Sequence, residues 1–115
     1  MNKQTLITLV LTAGLLPLAA EGKEATCLIK LDGAVAYSGQ CRFSAEPDGS
    51  FSISRTAQAT ILPEITDLSV SIVARGVAEV RGLTINGINS RWGEARQSTN
   101  DPACWTGSDF ELCAY

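Results

Sequence analysis

Four cysteines constrain the fold of this chain more than any other feature. They form two close pairs, Cys27 with Cys41 and Cys104 with Cys113. An even number of cysteines in a small exported domain indicates disulfides. Three pairings are possible, and the short spacing within each pair favours two local bridges, each worth about 3 kcal/mol in the chain-entropy account. No metal site is expected, because zinc usually needs Cys-x-x-Cys or histidine ligands and the chain has neither.

The first twenty residues predict that the protein is exported. Residues 6–20 read LITLVLTAGLLPLAA, an apolar run that ends in small residues, as in a secretory signal peptide. This run is shorter than the roughly 20 residues that span a bilayer as a helix, although a retained N-terminal anchor is an alternative. We therefore expect a signal peptide over residues 1–20 and a single secreted β domain over residues 21–115. The expected location is periplasmic or secreted, with no membrane span after cleavage.

The charge of the chain argues against nucleic acid as a partner. Nine Lys and Arg residues face twelve Asp and Glu residues, so the net charge is -3, and removal of Lys3 with the signal peptide makes it -4. Domains that bind nucleic acid usually gather a basic excess on one face. The arginines here are spaced singly, and we interpret them as solvated or locally paired side chains: Arg75, Arg81, Arg91 and Arg96.

The residues after the signal peptide predict an all-β fold. Short alternating runs are separated by turn dipeptides such as Asp32-Gly33 and Asn86-Gly87. The clearest hairpin covers residues 67–84, with its turn at Arg75-Gly76. About seven short strands at this spacing predict a small antiparallel sandwich or barrel with two local disulfides.

The last cysteine pair fits a final hairpin. Pairing Cys104 with Cys113 places Trp105 opposite Leu112 and makes residues 107–110 a turn. Trp105 is then expected in the core beside the disulfide. The segment is self-consistent as a cross-linked hairpin.

Two segments are less regular than the others. Ser38-Gly39-Gln40 interrupts the alternation before Cys41, so either the first turn is wider than two residues or Gly39 forms a bulge. Residues 56–63 fit either a helical turn or a strand that ends at Pro63. The sequence leaves both alternatives open.

The chain carries a family resemblance in four segments: TCLIKLDG, YSGQCRF, DGSFSI and ACWTGSDFELCAY. In these it resembles a group of small exported bacterial β proteins that have two disulfides and no assigned function. The resemblance implies a shared fold and no reaction. A second likeness is to exported bacterial lysozyme inhibitors, which recognise the enzyme through a loop with Ser-Gly and a nearby Tyr. Tyr37-Ser38-Gly39 supplies those residue types in another order.

Catalytic chemistry has little support in the sequence. A Ser-His-Asp or Cys-His set is impossible without histidine, and no glycine-rich phosphate loop occurs. No cofactor is expected. Asp101, Asp109 and Glu111 are candidate acids and bases for a small carboxylate-dependent hydrolase, but turn and solvent-facing positions also explain them. Such an enzyme would present a concave pocket with two converging carboxylates.

A binding role is the stronger prediction, and it centres on Trp92. This residue lies in a polar segment and is either exposed or part of the core; an exposed aromatic beside arginine is typical of interface hot spots. The candidate binding residues are Trp92, Arg91, Arg96, Asn86 and Asn89. We expect a flat or convex patch around Trp92 on a monomeric, non-catalytic binding or inhibitory module of the bacterial cell envelope. Its partner is expected to be a protein or a glycan.

Overall fold

A computed structural model of the protein describes residues 22–55 and 59–115. The predicted signal peptide lies outside the described residues. The regular elements in these ranges are eight β-strands: β1 (Lys23–Leu31), β2 (Ala34–Ala45), β3 (Phe51–Ser54), β4 (Ile65–Ala74), β5 (Val77–Thr84), β6 (Asn89–Gln97), β7 (Cys104–Thr106) and β8 (Phe110–Ala114). The expected all-β fold is confirmed. The described ranges contain no helix that is long and apolar enough to cross a membrane.

The eight strands form a closed antiparallel barrel in sequence order, because β8 pairs with β1. Of the two architectures that the sequence allowed, the barrel is therefore the one observed. Closure leaves none of these strands with an unpaired edge. The weakest place in the ladder is β7, which has two residue pairs with β6 and three with β8.

Turns alternate between the two ends of the barrel, because neighbouring strands run in opposite directions. We call one end the Trp92 end; it carries the loop between β3 and β4 and the turns at residues 32–33, 85–88 and 107–109. We call the other end the Trp105 end; it carries the turns at residues 46–50 and 75–76 and the loop at residues 98–103.

Apolar side chains from alternating strand positions fill the interior of the barrel. Leu68 and Val70 on β4 and Ala78 and Val80 on β5 are fully buried, and the two strands join at the turn of residues 75–76. The hairpin predicted for residues 67–84 is thus confirmed. Among the described residues, no polar or charged residue is buried.

Both disulfides join the local pairs that the spacing favoured. Cys27 and Cys41 belong to the core. They are diagonal neighbours, since Cys27 lies opposite Gly39 and Cys41 lies opposite Ala25. Their Cα atoms are 5.8 Å apart, within reach of a bridge.

The strand that contains Cys41 is longer than predicted. β2 continues through Ser38-Gly39-Gln40, so the expected interruption there is wrong. The first turn has only two residues, Asp32 and Gly33, with φ angles of 52° and 82° that suit an Asp-Gly hairpin turn. Gly39 lies in register, and the bulge occurs instead where the register shifts between Ile29 and Lys30.

The final hairpin has the predicted register. Cys104 lies directly opposite Cys113, with Cα atoms 4.0 Å apart, and Trp105 lies opposite Leu112. Because successive strand residues point to opposite faces, Trp105 points into the barrel and the disulfide lies on its outer side. Trp105 is therefore buried as expected, but it does not share a face with the sulfur atoms.

The segment after the undescribed residues 56–58 is neither a helix nor a regular strand. A single bridge pairs Leu62 with Ile65 around a turn at Pro63 and Glu64. Ile61 and Leu62 are buried and belong to the core. This loop thus contributes apolar side chains to the core at the Trp92 end.

Candidate functional site

A β-bulge on β6 decides where Trp92 points. The register pairs Arg81 with Arg91 and resumes at Gly93, so that Trp92 is the extra residue. Gly93 has a φ angle of 114°, which side chains other than glycine rarely adopt. Counting back in twos from the buried Ala95 would place Arg91 inside the barrel. The bulge directs Trp92 inward and Arg91 outward instead.

The ring of Trp92 covers part of one barrel end. It packs edge-on against the ring of Phe110, with ring centroids 5.3 Å apart. It also lies over Gly82, where a Cβ atom would come within 2.9 Å of the indole Nε1. The Phe110 ring lies over Gly107 in the same way, at 2.3 Å from the position of a Cβ atom. Trp92 is therefore half-buried against the core rather than exposed.

A cleft of about 340 Å³ lies beside these two rings. Its lining residues are Leu31, Asp32, Arg91, Trp92, Asp109 and Phe110. Three of these side chains are apolar and three are charged. The site around Trp92 is thus concave, unlike the flat or convex patch expected from the sequence.

Asp32 and Asp109 occupy neighbouring turns that are tied together. The backbone N–H of Asp32 donates a hydrogen bond of 2.9 Å to the carbonyl oxygen of Asp109. Both residues are exposed, and within the described ranges neither carboxylate takes part in an ion pair or a side-chain hydrogen bond. Asp32 was not among the residues predicted for the site, because the Asp-Gly turn accounts fully for an aspartate at this position.

The positive charge of Arg91 is already paired with a carboxylate on the neighbouring strand. Its Nε and Nη2 atoms donate to the carboxylate of Glu79, the Nη2 bond at 3.3 Å. The hydrogen bond to Glu79, with a smaller contribution from the attraction between the charges, raises the pKa of Arg91 above its ordinary value. The uncompensated charge in the cleft is therefore that of Asp32 and Asp109.

The other predicted binding residues lie outside this cleft. Asn89 lines a separate depression of the outer surface with Leu83. Asn86 is exposed in the turn of residues 85–88. Arg96 lies farther along β6 toward the Trp105 end, and it forms an ion pair of 2.9 Å with Glu94. The structure thus brings together only Arg91 and Trp92 of the five candidates.

The three carboxylates considered for hydrolysis do not converge. Asp101 lies at the Trp105 end, where it accepts a hydrogen bond of 2.6 Å from the hydroxyl of Tyr115. Glu111 on β8 faces Lys30 at 3.9 Å. Only Asp109 lines the cleft.

Glu111 also approaches the outer disulfide. Ligand-type atoms of Cys104, Glu111 and Cys113 lie within 4.8 Å of one another. The two sulfur atoms are bonded to each other and do not offer the thiolates that a metal ion needs. This cluster is therefore part of the hairpin rather than a metal site.

Exposed apolar side chains concentrate at the Trp92 end. Six large apolar side chains are exposed among the described residues, and four of them lie at or near this end: Val35, Leu83, Ile85 and Ile88. Ile85 and Ile88 share the turn between β5 and β6 and are 58% and 60% exposed. Single apolar residues on a surface are ordinary, whereas large contiguous apolar patches mark contact surfaces, so these side chains make the Trp92 end a candidate for one.

Comparisons of the chain with protein families, curated proteins and solved structures found no match. The two resemblances seen in sequence segments therefore stay predictions. The segment Tyr37-Ser38-Gly39 lies within β2 rather than in a loop. The hydroxyl of Tyr37 donates to the carbonyl oxygen of Gln40 on the same strand.

Proposed function

We propose that this chain is an exported, non-catalytic binding module of the bacterial cell envelope, which contacts its partner with the Trp92 end of the barrel. The two disulfides support export, because such bonds persist in oxidising compartments. The apolar run of residues 6–20 supports the same location. The periplasm or the space beyond the cell is therefore where a partner should be sought.

The cleft beside Trp92 carries this proposal. It combines an apolar wall with a few charged groups, as binding sites commonly do. Ile85 and Ile88 on the next turn of the same end extend the apolar surface beyond the cleft. Binding at this end would bury apolar area that is otherwise in water.

The barrel also suits an inhibitory form of binding. Its strands close on themselves, and at the Trp92 end the backbone hydrogen bond from Asp32 to Asp109 ties two of the turns together before a partner arrives. A preorganised surface loses little conformational entropy on association. Inhibition of an envelope enzyme, lysozymes included, is therefore a specific form of the proposed function.

A small carboxylate-dependent hydrolase is the second candidate, and one observation favours it: Asp32 and Asp109 share a cleft. A catalytic general acid is normally sheltered from water so that it keeps its proton. Both aspartates are exposed. This exposure favours binding over acid–base catalysis.

Capture of envelope components tests the proposed function. The protein, purified from the compartment to which it is exported, would be immobilised and exposed to envelope extract with lysozymes added. A double variant, I85S/I88S, removes exposed apolar area at the Trp92 end. The matched control V73S removes an apolar side chain of 64% exposure from β4 near the Trp105 end.

We expect I85S/I88S to weaken capture of the partner by about tenfold or more, since exposed apolar contacts contribute to association. V73S should leave capture unchanged. Equal capture by all three proteins would contradict a contact at the Trp92 end. Loss of activity on glycoside or ester substrates in D109N, without any captured partner, would support the hydrolase instead.

A further inference from the structure

We propose that the cleft beside Trp92 receives a cationic side chain, an arginine or a lysine, from the surface of a partner protein. This inference rests on the proposed function and specifies its partner as a protein with a basic contact surface. It follows from the chemistry of the cleft walls, from their charge and from the way in which the fold holds them.

The apolar wall of the cleft suits the stem and the face of a cationic group. Trp92 is half-buried, so part of its indole surface remains accessible at the cleft. Tryptophan is the aromatic side chain that attracts cations best, through the negative face of its ring. Leu31 beside it offers contact for the methylene groups of an arginine or lysine.

The charged walls favour a cation over a neutral or anionic ligand. Asp32 and Asp109 contribute two carboxylates that have no cationic partner within the described ranges. Arg91, the remaining charged lining residue, is held by Glu79 and leaves the local balance negative. An anionic ligand would be repelled, and a neutral glycan could donate hydroxyl hydrogen bonds to the two carboxylates but would leave both charges without a counter-charge.

The carboxylate of Asp32 is not required by the turn in which it lies. The turn needs a residue that tolerates the φ angle of 52°, and asparagine meets this need as well as aspartate. The backbone bond from Asp32 to Asp109 fixes the two turns side by side whatever side chains they carry. We therefore expect the fold to persist when Asp32 and Asp109 are replaced by uncharged residues.

The net charge of the whole chain also favours a basic partner. At -3, the protein repels acidic partners over a distance and attracts basic ones, an effect that salt weakens. The cleft then provides a specific place for one cationic side chain within this general attraction. Binding should therefore weaken as ionic strength rises.

A nuclear magnetic resonance titration tests the inference on the exported protein. The probe is the blocked tripeptide acetyl-Gly-Arg-Gly-amide, added up to about 10 mM because a single side chain binds weakly. The comparison probes are acetyl-Gly-Glu-Gly-amide and a trimer of N-acetylglucosamine. We expect only the arginine peptide to shift the backbone amides of Asp32 and Asp109 and the indole N–H of Trp92.

Two double variants separate the cleft from the general charge of the protein. D32N/D109N should weaken the binding of the arginine peptide by about tenfold, since it removes both carboxylates. E24Q/E46Q removes two exposed acidic residues near the Trp105 end and should change the affinity by less than about twofold. Unchanged spectra of the free variants would show that both keep the fold.

Three results would overturn the inference. One is no shift with the arginine peptide, another is an equal response in D32N/D109N and the unaltered protein, and the third is binding of the N-acetylglucosamine trimer alone at the cleft. The last result would leave the Trp92 end as a binding surface with a glycan partner. The proposed function fails on different results: a captured partner that is insensitive to I85S/I88S, or hydrolase activity that depends on Asp109 with no captured partner.

Discussion

The ring of Trp92 packs edge-on against the ring of Phe110, at 5.3 Å between centroids, and the same two rings form a wall of the cleft. Trp92 thus contributes both to the packing of the barrel end and to the proposed binding surface. Substitutions of Trp92 therefore test stability, whereas the exposed residues Asp32, Asp109, Ile85 and Ile88 are better suited to tests of binding.

Replacing Trp92 with alanine should lower the free energy of unfolding by about 2–3 kcal/mol, less than for a fully buried tryptophan because the ring is half-buried. The loss arises from contacts with Phe110 and the surface over Gly82. Urea unfolding followed by circular dichroism measures it. The control Val73→Ala, at an exposed site, should stay within about 0.5 kcal/mol. An equally small effect for Trp92→Ala would show that the ring contributes little to packing.

Gly107→Ala should destabilise the barrel by about 1–3 kcal/mol through crowding. The added Cβ atom would lie 2.3 Å from the buried ring of Phe110, which would have to shift. In a Phe110→Leu background the smaller side chain should reduce this loss. A double-mutant cycle from urea unfolding gives the coupling between the two sites. Equal losses in both backgrounds would rule out the ring as the cause.

Local patterns in the sequence were sufficient for two of the hairpins, but not for the one formed by β1 and β2. In residues 67–84, strict alternation and the Arg75-Gly76 turn gave the buried face of β4 and β5 correctly. The Cys104–Cys113 register followed from the spacing and the short turn between the two residues. These features depend on neighbours in sequence, where the period of a strand is decisive.

Other features depend on contacts between distant parts of the chain and could not be read locally. Closure of the barrel needs β1 to pair with β8, which no turn signal marks. The inward position of Trp92 comes from a bulge, of which the adjacent Gly93 was the only local sign. The cleft brings together Asp32 and Asp109, which are far apart in the sequence. Only Asp109 of these two carboxylates was therefore predicted as a candidate site residue.

Removing the outer disulfide with C104S/C113S should open the barrel first at β7. This strand has only two residue pairs with β6 and three with β8, so the bridge supplies much of its attachment. We expect a loss of about 3 kcal/mol and faster hydrogen exchange at Trp105 and Thr106. The rate of exchange in β4 and β5 should rise only by the amount that the lower free energy of global unfolding implies. Unchanged exchange in β7 would contradict this role of the bridge.

The phenol of Tyr115 should titrate above 10.0, because its hydrogen bond to Asp101, followed by its partial desolvation and the nearby negative charges, raises its pKa. Since the folded state favours the neutral phenol, this contribution to stability is complete below pH 10 and is lost as the pH rises through the folded-state pKa. Tyrosinate absorbance in a Tyr37→Phe background isolates the group. Asp101→Asn should lower the pKa toward the ordinary value; an unchanged titration would show that Asp101 is not the cause.

Hydrogen exchange measured on the protein alone and in complex with its captured partner locates the contact surface on the barrel. We expect binding to slow exchange at residues 31–33, 85–92 and 107–110, which belong to the Trp92 end and its cleft. Exchange at residues 46–50, 75–76 and 98–103 of the Trp105 end should stay the same. Protection confined to the Trp105 end, with none at Asp32, Trp92 or Asp109, would contradict the proposed binding surface.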